Sequence, residues 1–175
     1  MQKSLEAKMQ ALVDKQEIKE LSHRYARALD RVDVELLRSV YHDDATDYRG
    51  FFNGKASEFI DVAMSMIDDC ESTQHTLGQI DIDLEGDIAF GEVYFQAYHR
   101  VIEEGEEKDF VIWGRYIDRY EKRSEVWKIA HRTMLVDFDR TDPIADSFTK
   151  GMPEALLGAR GKDDFSSQRD VLRER

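Results

Sequence analysis

Apolar positions recur at helical spacing over the first third of the chain and alternate through its middle. Ile18, Leu21, Tyr25 and Leu29 fall on one face of a helix. Asp14, with Glu17 three residues on, has the form of a capping box, so the pattern predicts a first helix from Asp14 to Leu29. Asp30-Arg31-Val32-Asp33 breaks the pattern, and Asp33 is placed to cap a short second helix carrying Leu36, Leu37 and Val40. Tyr41-His42-Asp43-Asp44 reads as a polar exit, Thr46–Arg49 as a short strand and Phe51–Gly54 as a turn. A third helix follows from Ala56 to Asp69, with Phe59, Val62, Ala63, Met66 and Ile67 as its buried stripe.

From Ser72 the helical repeat gives way to alternation. A strand through His75, Leu77, Gln79 and Asp81 ends at the turn Glu85-Gly86-Asp87. Ile88–Ile102, Phe110–Tyr120 and Val126–Phe138 are three further strands, rich in β-branched and aromatic residues. The acidic loop Glu103–Glu107 and the turn Arg123-Ser124-Glu125 separate them. Short links favour sequential antiparallel pairing. Helices first and a meander afterwards predict an α+β fold with the helices on one face of a curved, mainly antiparallel sheet. Val93, Phe95, Ala97 and Val101 share one face of the second long strand, while Tyr94 and Tyr98 share the other. A strand apolar on both faces is covered on both, so a homo-oligomer is expected. Past Asp139 the periodicity fades, and Asp142-Pro143 marks a boundary. The division expected is a domain over 1–145 and a C-terminal extension over 146–175, partly extended or disordered, with a short helix near Met152–Leu157.

The chain has 175 residues, enough for one domain with a sizeable core, and carries a net charge of −12. That charge opposes binding to nucleic acid and to anionic membranes. The polar N-terminal stretch has no signal-peptide pattern, and no stretch is apolar enough to span a bilayer, so a cytoplasmic location is expected. Cys70 is the single cysteine and reads as a small packing residue near a helix end.

Five histidines are the obvious carriers of chemistry near neutral pH. His23 and His42 read as solvated. His99 and His131 lie in strands and could be neighbours, but no metal-binding spacing occurs and no metal is expected. No phosphate-binding glycine motif is present either, and no cofactor is expected. His75 at the head of a strand can act as a base if a carboxylate holds its Nδ1–H. Asp30, at the end of the first helix, is a candidate for that carboxylate, although 45 residues separate the two. Arg132, mid-strand, needs a carboxylate or an anionic ligand if it points inward. The hydroxyl of Tyr25 needs a partner if buried.

Several strings carry a family likeness. They are Tyr25-Ala26-Arg27-Ala28-Leu29-Asp30, Gln74-His75-Thr76-Leu77-Gly78, and Tyr120-Glu121-Lys122-Arg123 followed by Val126-Trp127-Lys128-Ile129. With the element order, they resemble the NTF2-like superfamily and its SnoaL-like group over roughly residues 10–140. The resemblance implies a cone-shaped α+β barrel. The pair of Asp30 and His75 resembles the catalytic dyad of scytalone dehydratases, hexachlorocyclohexane dehydrochlorinases and bile acid 7α-dehydratases. It implies a cofactor-independent lyase acting on a hydrophobic, ring-containing small molecule, as a trimer or dimer. Under it His75 is the base, Asp30 its orienter, Tyr25 the group assisting departure and Arg132 a stabiliser of negative charge. Val93, Phe95, Ile112, Met134 and Val136 are the apolar walls it implies. An isomerase or polyketide-cyclase-like enzyme using the same dyad, or a non-catalytic binding module, fits the same residues.

Overall fold

The computed structural model of the protein describes residues Ser4–Glu174. Helices α1 (Leu5–Asp30) and α2 (Val34–Ser39) come first, then strands β1 (Tyr41–Tyr48) and β2 (Asn53–Lys55), then α3 (Ala56–Asp68). Four long strands follow: β3 (Ser72–Glu85), β4 (Ile88–Glu103), β5 (Glu106–Arg123) and β6 (Val126–Pro143). All six strands form one sheet in the order β2-β1-β6-β5-β4-β3. Pairing is antiparallel throughout except between β1 and β6, which run parallel. The α+β architecture expected from the sequence is present, with the helices packed on the inner face of a curled sheet. The sheet does not close into a barrel, because β2 and β3 remain its edges. Among the described residues, no helix is long and apolar enough to cross a membrane.

Four local expectations change. The first helix begins at Ser4, whose hydroxyl accepts from the Ala7 N–H, and not at Asp14. Its first turns carry exposed Leu5, Met9 and Leu12 and bury little, so no core-facing stripe announces them. Good helix formers propagate the helix there without help from the core. Asp14 is instead a buried anchor in mid-helix. Its carboxylate accepts from Trp127 Nε1 at 2.9 Å and Lys122 Nζ at 3.0 Å, tying α1 to the β5–β6 hairpin. Burial pushes its pKa up, but these hydrogen bonds outweigh burial and hold it below the usual carboxylate range.

The polar stretch Tyr41–Asp44 is not an exit but the start of β1, which pairs with β6 from Tyr41 opposite Ile129. The supposed turn at Phe51–Gly54 runs into β2. The C-terminal extension is not loose over 159–166. Arg31 Nη1 donates to the Ala159 carbonyl at 2.9 Å, and buried Asp164 accepts from the N–H groups of Ala159 and Ser166. Arg160 Nη2 donates to the carbonyls of Ile67 and Cys70, at 3.0 and 2.6 Å, at and just past the end of α3. A polar segment with little to bury is thus fixed by hydrogen bonds to the ends of two helices.

The inner face of β4 buries Val93, Phe95 and Ala97, while Tyr94 on the outer face is exposed. Gly114 of β5 lies opposite Phe95. A Cβ there would collide with the Phe95 ring and with the Leu135 carbonyl. Glycine at that point lets the Phe95 ring stack on Tyr116, with centroids 4.3 Å apart.

Candidate functional site

The inner face of the sheet and the helices enclose an apolar cavity of about 110 Å³. The start of β3 brings His75 to the cavity wall, and the end of α1 sets Asp30 behind it, outside the cavity lining. Both oxygens of Asp30 are used on the same residue. Oδ2 accepts the backbone N–H of His75 at 2.8 Å, and Oδ1 lies 2.8 Å from His75 Nδ1. An ionised carboxylate can only accept, so the ring proton sits on Nδ1. Nε2 is left without a hydrogen bond within the described residues, on a ring that lines the cavity. Burial pushes the Asp30 pKa up, but the hydrogen bonds and charge of His75 hold it below the usual range. The side chains of His75 and Asp30 are only 6% and 10% exposed, so bulk water does little to loosen the pair.

Tyr25, from the inward stripe of α1, also lines the cavity and is 1% exposed. Its hydroxyl oxygen accepts from Arg49 Nη2 at 2.8 Å. With that lone pair engaged, its own O–H hydrogen is free to donate to a ligand. Arg49 was not singled out in the sequence, where Thr46–Arg49 reads as a short strand. Its side chain is 6% exposed and lines the cavity. It pairs with Asp47 (2.7 and 3.1 Å), itself fully buried, and stacks over the Phe59 ring at 3.7 Å. The signal was the spacing. Residues two apart on a strand share a face, so an inward Asp47 brings Arg49 inward with it.

The remaining expected residues divide. Phe95, Ile112 and Met134 line the cavity, while Val93 and Val136 are not among its lining residues. Val93 is completely buried in the core. Val136 pairs with Gly114 beyond the last β1–β6 pair, Tyr48 with Thr133. There β6 outruns its neighbour, and Val136 stays half exposed. Arg132 points inward, but it does not line the cavity either. It donates from Nε and Nη2 to Asp118 at 2.8 and 2.6 Å, and both side chains are fully buried. Its guanidinium lies 4.2 and 4.1 Å from the ring centroids of Tyr25 and Tyr116. The charge expected to meet a ligand is therefore taken up by a carboxylate across the β5–β6 ladder.

His99 is a neighbour of His75, with ring centroids 5.6 Å apart, and not of His131. Burial, reinforced by the nearby His75, lowers its pKa to about 4. Its Nδ1 is buried without a partner. His131 instead bonds Thr46 and Thr133, and His42 bonds the Glu121 carbonyl. Among the described residues, no cluster of three or more His, Cys, Asp or Glu side chains is arranged to hold a metal ion. The arrangement thus offers a base on a fixed tautomer, a hydroxyl donor and a cation, all at the wall of an otherwise apolar space.

Solved structures share this fold at low identity. The hexachlorocyclohexane dehydrochlorinase LinA-type3 of Novosphingobium barchaimii is 16% identical, with a TM-score of 0.71 over 80% of this chain and 99% of its own. A candidate scytalone dehydratase of Novosphingobium aromaticivorans is 22% identical, with a TM-score of 0.66 over 78% and 97%. The Kfla4162 protein of Kribbella flavida is 18% identical, with a TM-score of 0.67 over 74% and 95%. No curated protein matches the chain by sequence. Residues 10–133, well over half of the chain, match the model of the SnoaL-like domain, and the chain belongs to that family.

Proposed function

We propose that the protein is a lyase that eliminates water or halide from a hydrophobic, ring-containing small molecule. The observation that carries this reading is the 2.8 Å contact between Asp30 and His75 Nδ1, with Nε2 unpartnered on a ring lining an apolar cavity. In the proposed reaction, Nε2 takes a proton from a carbon next to the one bearing the leaving group. The C–H electron pair becomes the new double bond, and the bond to the leaving group breaks. Where that group is hydroxide, the Tyr25 O–H supplies the proton that makes it water. The tyrosinate left behind lies 2.8 Å from the Arg49 guanidinium and recovers its proton from the His75 imidazolium through solvent. Asp30 stabilises the imidazolium while it exists. Arg49 takes the place that the sequence suggested for Arg132. The names of the dehydrochlorinase and the candidate dehydratase among the structural neighbours support elimination as the reaction class.

The outer sheet face, with Phe90, Tyr94, Ile117, Leu135 and Phe138 exposed, supports a homo-oligomer as the working form. The chemistry is tested with a panel of cyclic β-hydroxy ketones, following absorbance of the conjugated enone and exchange of the acidic C–H in deuterated water. His75→Gln is expected to lose both signals. Tyr25→Phe is expected to keep exchange and lose elimination. Turnover surviving in His75→Gln would remove the base assignment.

A further inference from the structure

The cavity beside His75 is too small for the ligand its chemistry suits. An apolar cavity of about 150 Å³ is what a single benzene ring fills, and this one is about 110 Å³. Next to it lies a groove of about 330 Å³ between the end of α3 and the far ends of β4 and β5. The two spaces share Met66, Ile67, His99 and Ile112 as wall residues. Beyond that junction the groove is walled by Cys70, Val101, Ile102 and Phe110, with Asp69 as its charged residue.

We propose that this groove is a second subsite, which takes an unbranched or ring-bearing apolar extension of the substrate whose reacting carbon sits at His75. The proposal rests on the reading of His75 as the base. Three features support it. At the end of α3 the backbone carbonyls beside the groove are engaged: Arg160 donates to those of Ile67 and Cys70, and the Cys70 thiol to that of Met66. The polar side chain on the shared wall is His99, whose Nδ1 is buried without a hydrogen-bond partner among the described residues. Groove and cavity also lie side by side, with Met66, Ile67, His99 and Ile112 as a common wall. The substrate class is therefore an amphiphile: a functionalised end at Tyr25, Arg49 and His75, and an apolar body longer than one ring.

The test uses a homologous series of probes, phenol and 4-ethyl-, 4-butyl- and 4-hexylphenol, with the intact protein. Affinity is measured by calorimetry, and location by methyl NMR of the methionine, isoleucine and valine side chains. Phenol is expected to perturb the cavity methyls of Met66, Ile67, Ile112 and Met134 and to leave Val101 and Ile102 unmoved, and hexylphenol to perturb Val101 and Ile102 as well. Affinity is expected to rise about fourfold for each methylene that enters the groove. Val101→Trp, which fills the groove from a partly exposed strand position, should flatten that rise and leave phenol affinity unchanged. A rise that persists in Val101→Trp, or hexylphenol that leaves Val101 and Ile102 unperturbed, overturns the proposal. So do shifts of those methyls that follow protein concentration without ligand, which would assign the groove to a second copy of the chain. His75→Gln separates the two readings: it should abolish elimination while the length dependence of binding persists. Loss of length dependence with phenol still bound removes the groove alone.

Discussion

Replacing Asp30 with asparagine tests the dyad at a single atom. In the wild-type protein Oδ2 accepts the His75 backbone N–H and Oδ1 holds the ring at Nδ1, both at 2.8 Å. An asparagine must keep its oxygen on the backbone N–H, because the reverse placement would set a donor against a donor. Its NH₂ then faces Nδ1, which can only accept, and the ring proton moves to Nε2. Two costs follow. The imidazolium loses a charge-assisted hydrogen bond, worth about 2 kcal/mol, and returning the proton to Nδ1 against the amide costs about 2 kcal/mol more. Together they predict a fall in kcat of about 10³-fold, with the fold retained because the backbone contact survives. The assay has two parts. Turnover is measured on whichever panel substrate the wild type converts, and imidazole ¹⁵N NMR reads which ring nitrogen carries the proton. The wild type should show Nδ1–H and Asp30→Asn should show Nε2–H. Turnover within tenfold of wild type, or an unchanged tautomer, would falsify this account of how the carboxylate works.

Two further outcomes follow from the buried charges. His99 has its pKa lowered to about 4 by burial and by the neighbouring His75, against about 6.5 for an unfolded histidine. Between those pH values the unfolded chain binds a proton that the folded chain does not. Stability is therefore full above about pH 6.5 and declines by up to about 3 kcal/mol as pH falls towards 4. His99→Phe should lose that much less stability than wild type between pH 7 and pH 4 in urea melts, and parallel pH profiles would contradict the assignment. Asp118→Asn leaves the fully buried Arg132 without its counter-charge, which costs about 3–5 kcal/mol. A drop in Tm of about 10 °C is expected for a chain of this size, and a change under 2 °C would show that the tyrosine faces alone satisfy the guanidinium.

How much of this was legible in the sequence depended on whether the signal was periodic or tertiary. The inward stripe of α1 and the meander were legible because burial imposes a repeat on them. The first turns of α1 were not, because nothing buries them. Nor was the first half of β1, where Tyr41 alone of Tyr41–Asp44 pairs with β6 and the register shifts before Thr46. At the site, Asp30, His75 and Tyr25 could be named from a family likeness that preserves element ends. Arg132 and Arg49 could not be told apart. Both are inward arginines near carboxylates, and which one faces the cavity is decided by register: Arg132 falls opposite Asp118 across the β5–β6 ladder, while Arg49 falls just past the end of β1. Val136 was misjudged for a similar reason, since alternation gives a face but not how far the neighbouring strand extends.

The two-handed grip of Asp30 also bears on when the site comes into being. One carboxylate reads the backbone of His75 and its ring together, so it fastens the last residue of a helix to a strand that begins some forty residues later. The same carboxylate that seats the strand head against the helix end also chooses the imidazole tautomer. Under the proposed reaction, the base is then poised as soon as α1 docks on β3, without a later side-chain adjustment. A local opening that frees the start of β3 would in the same event release the ring, making activity a direct reporter of that junction's integrity.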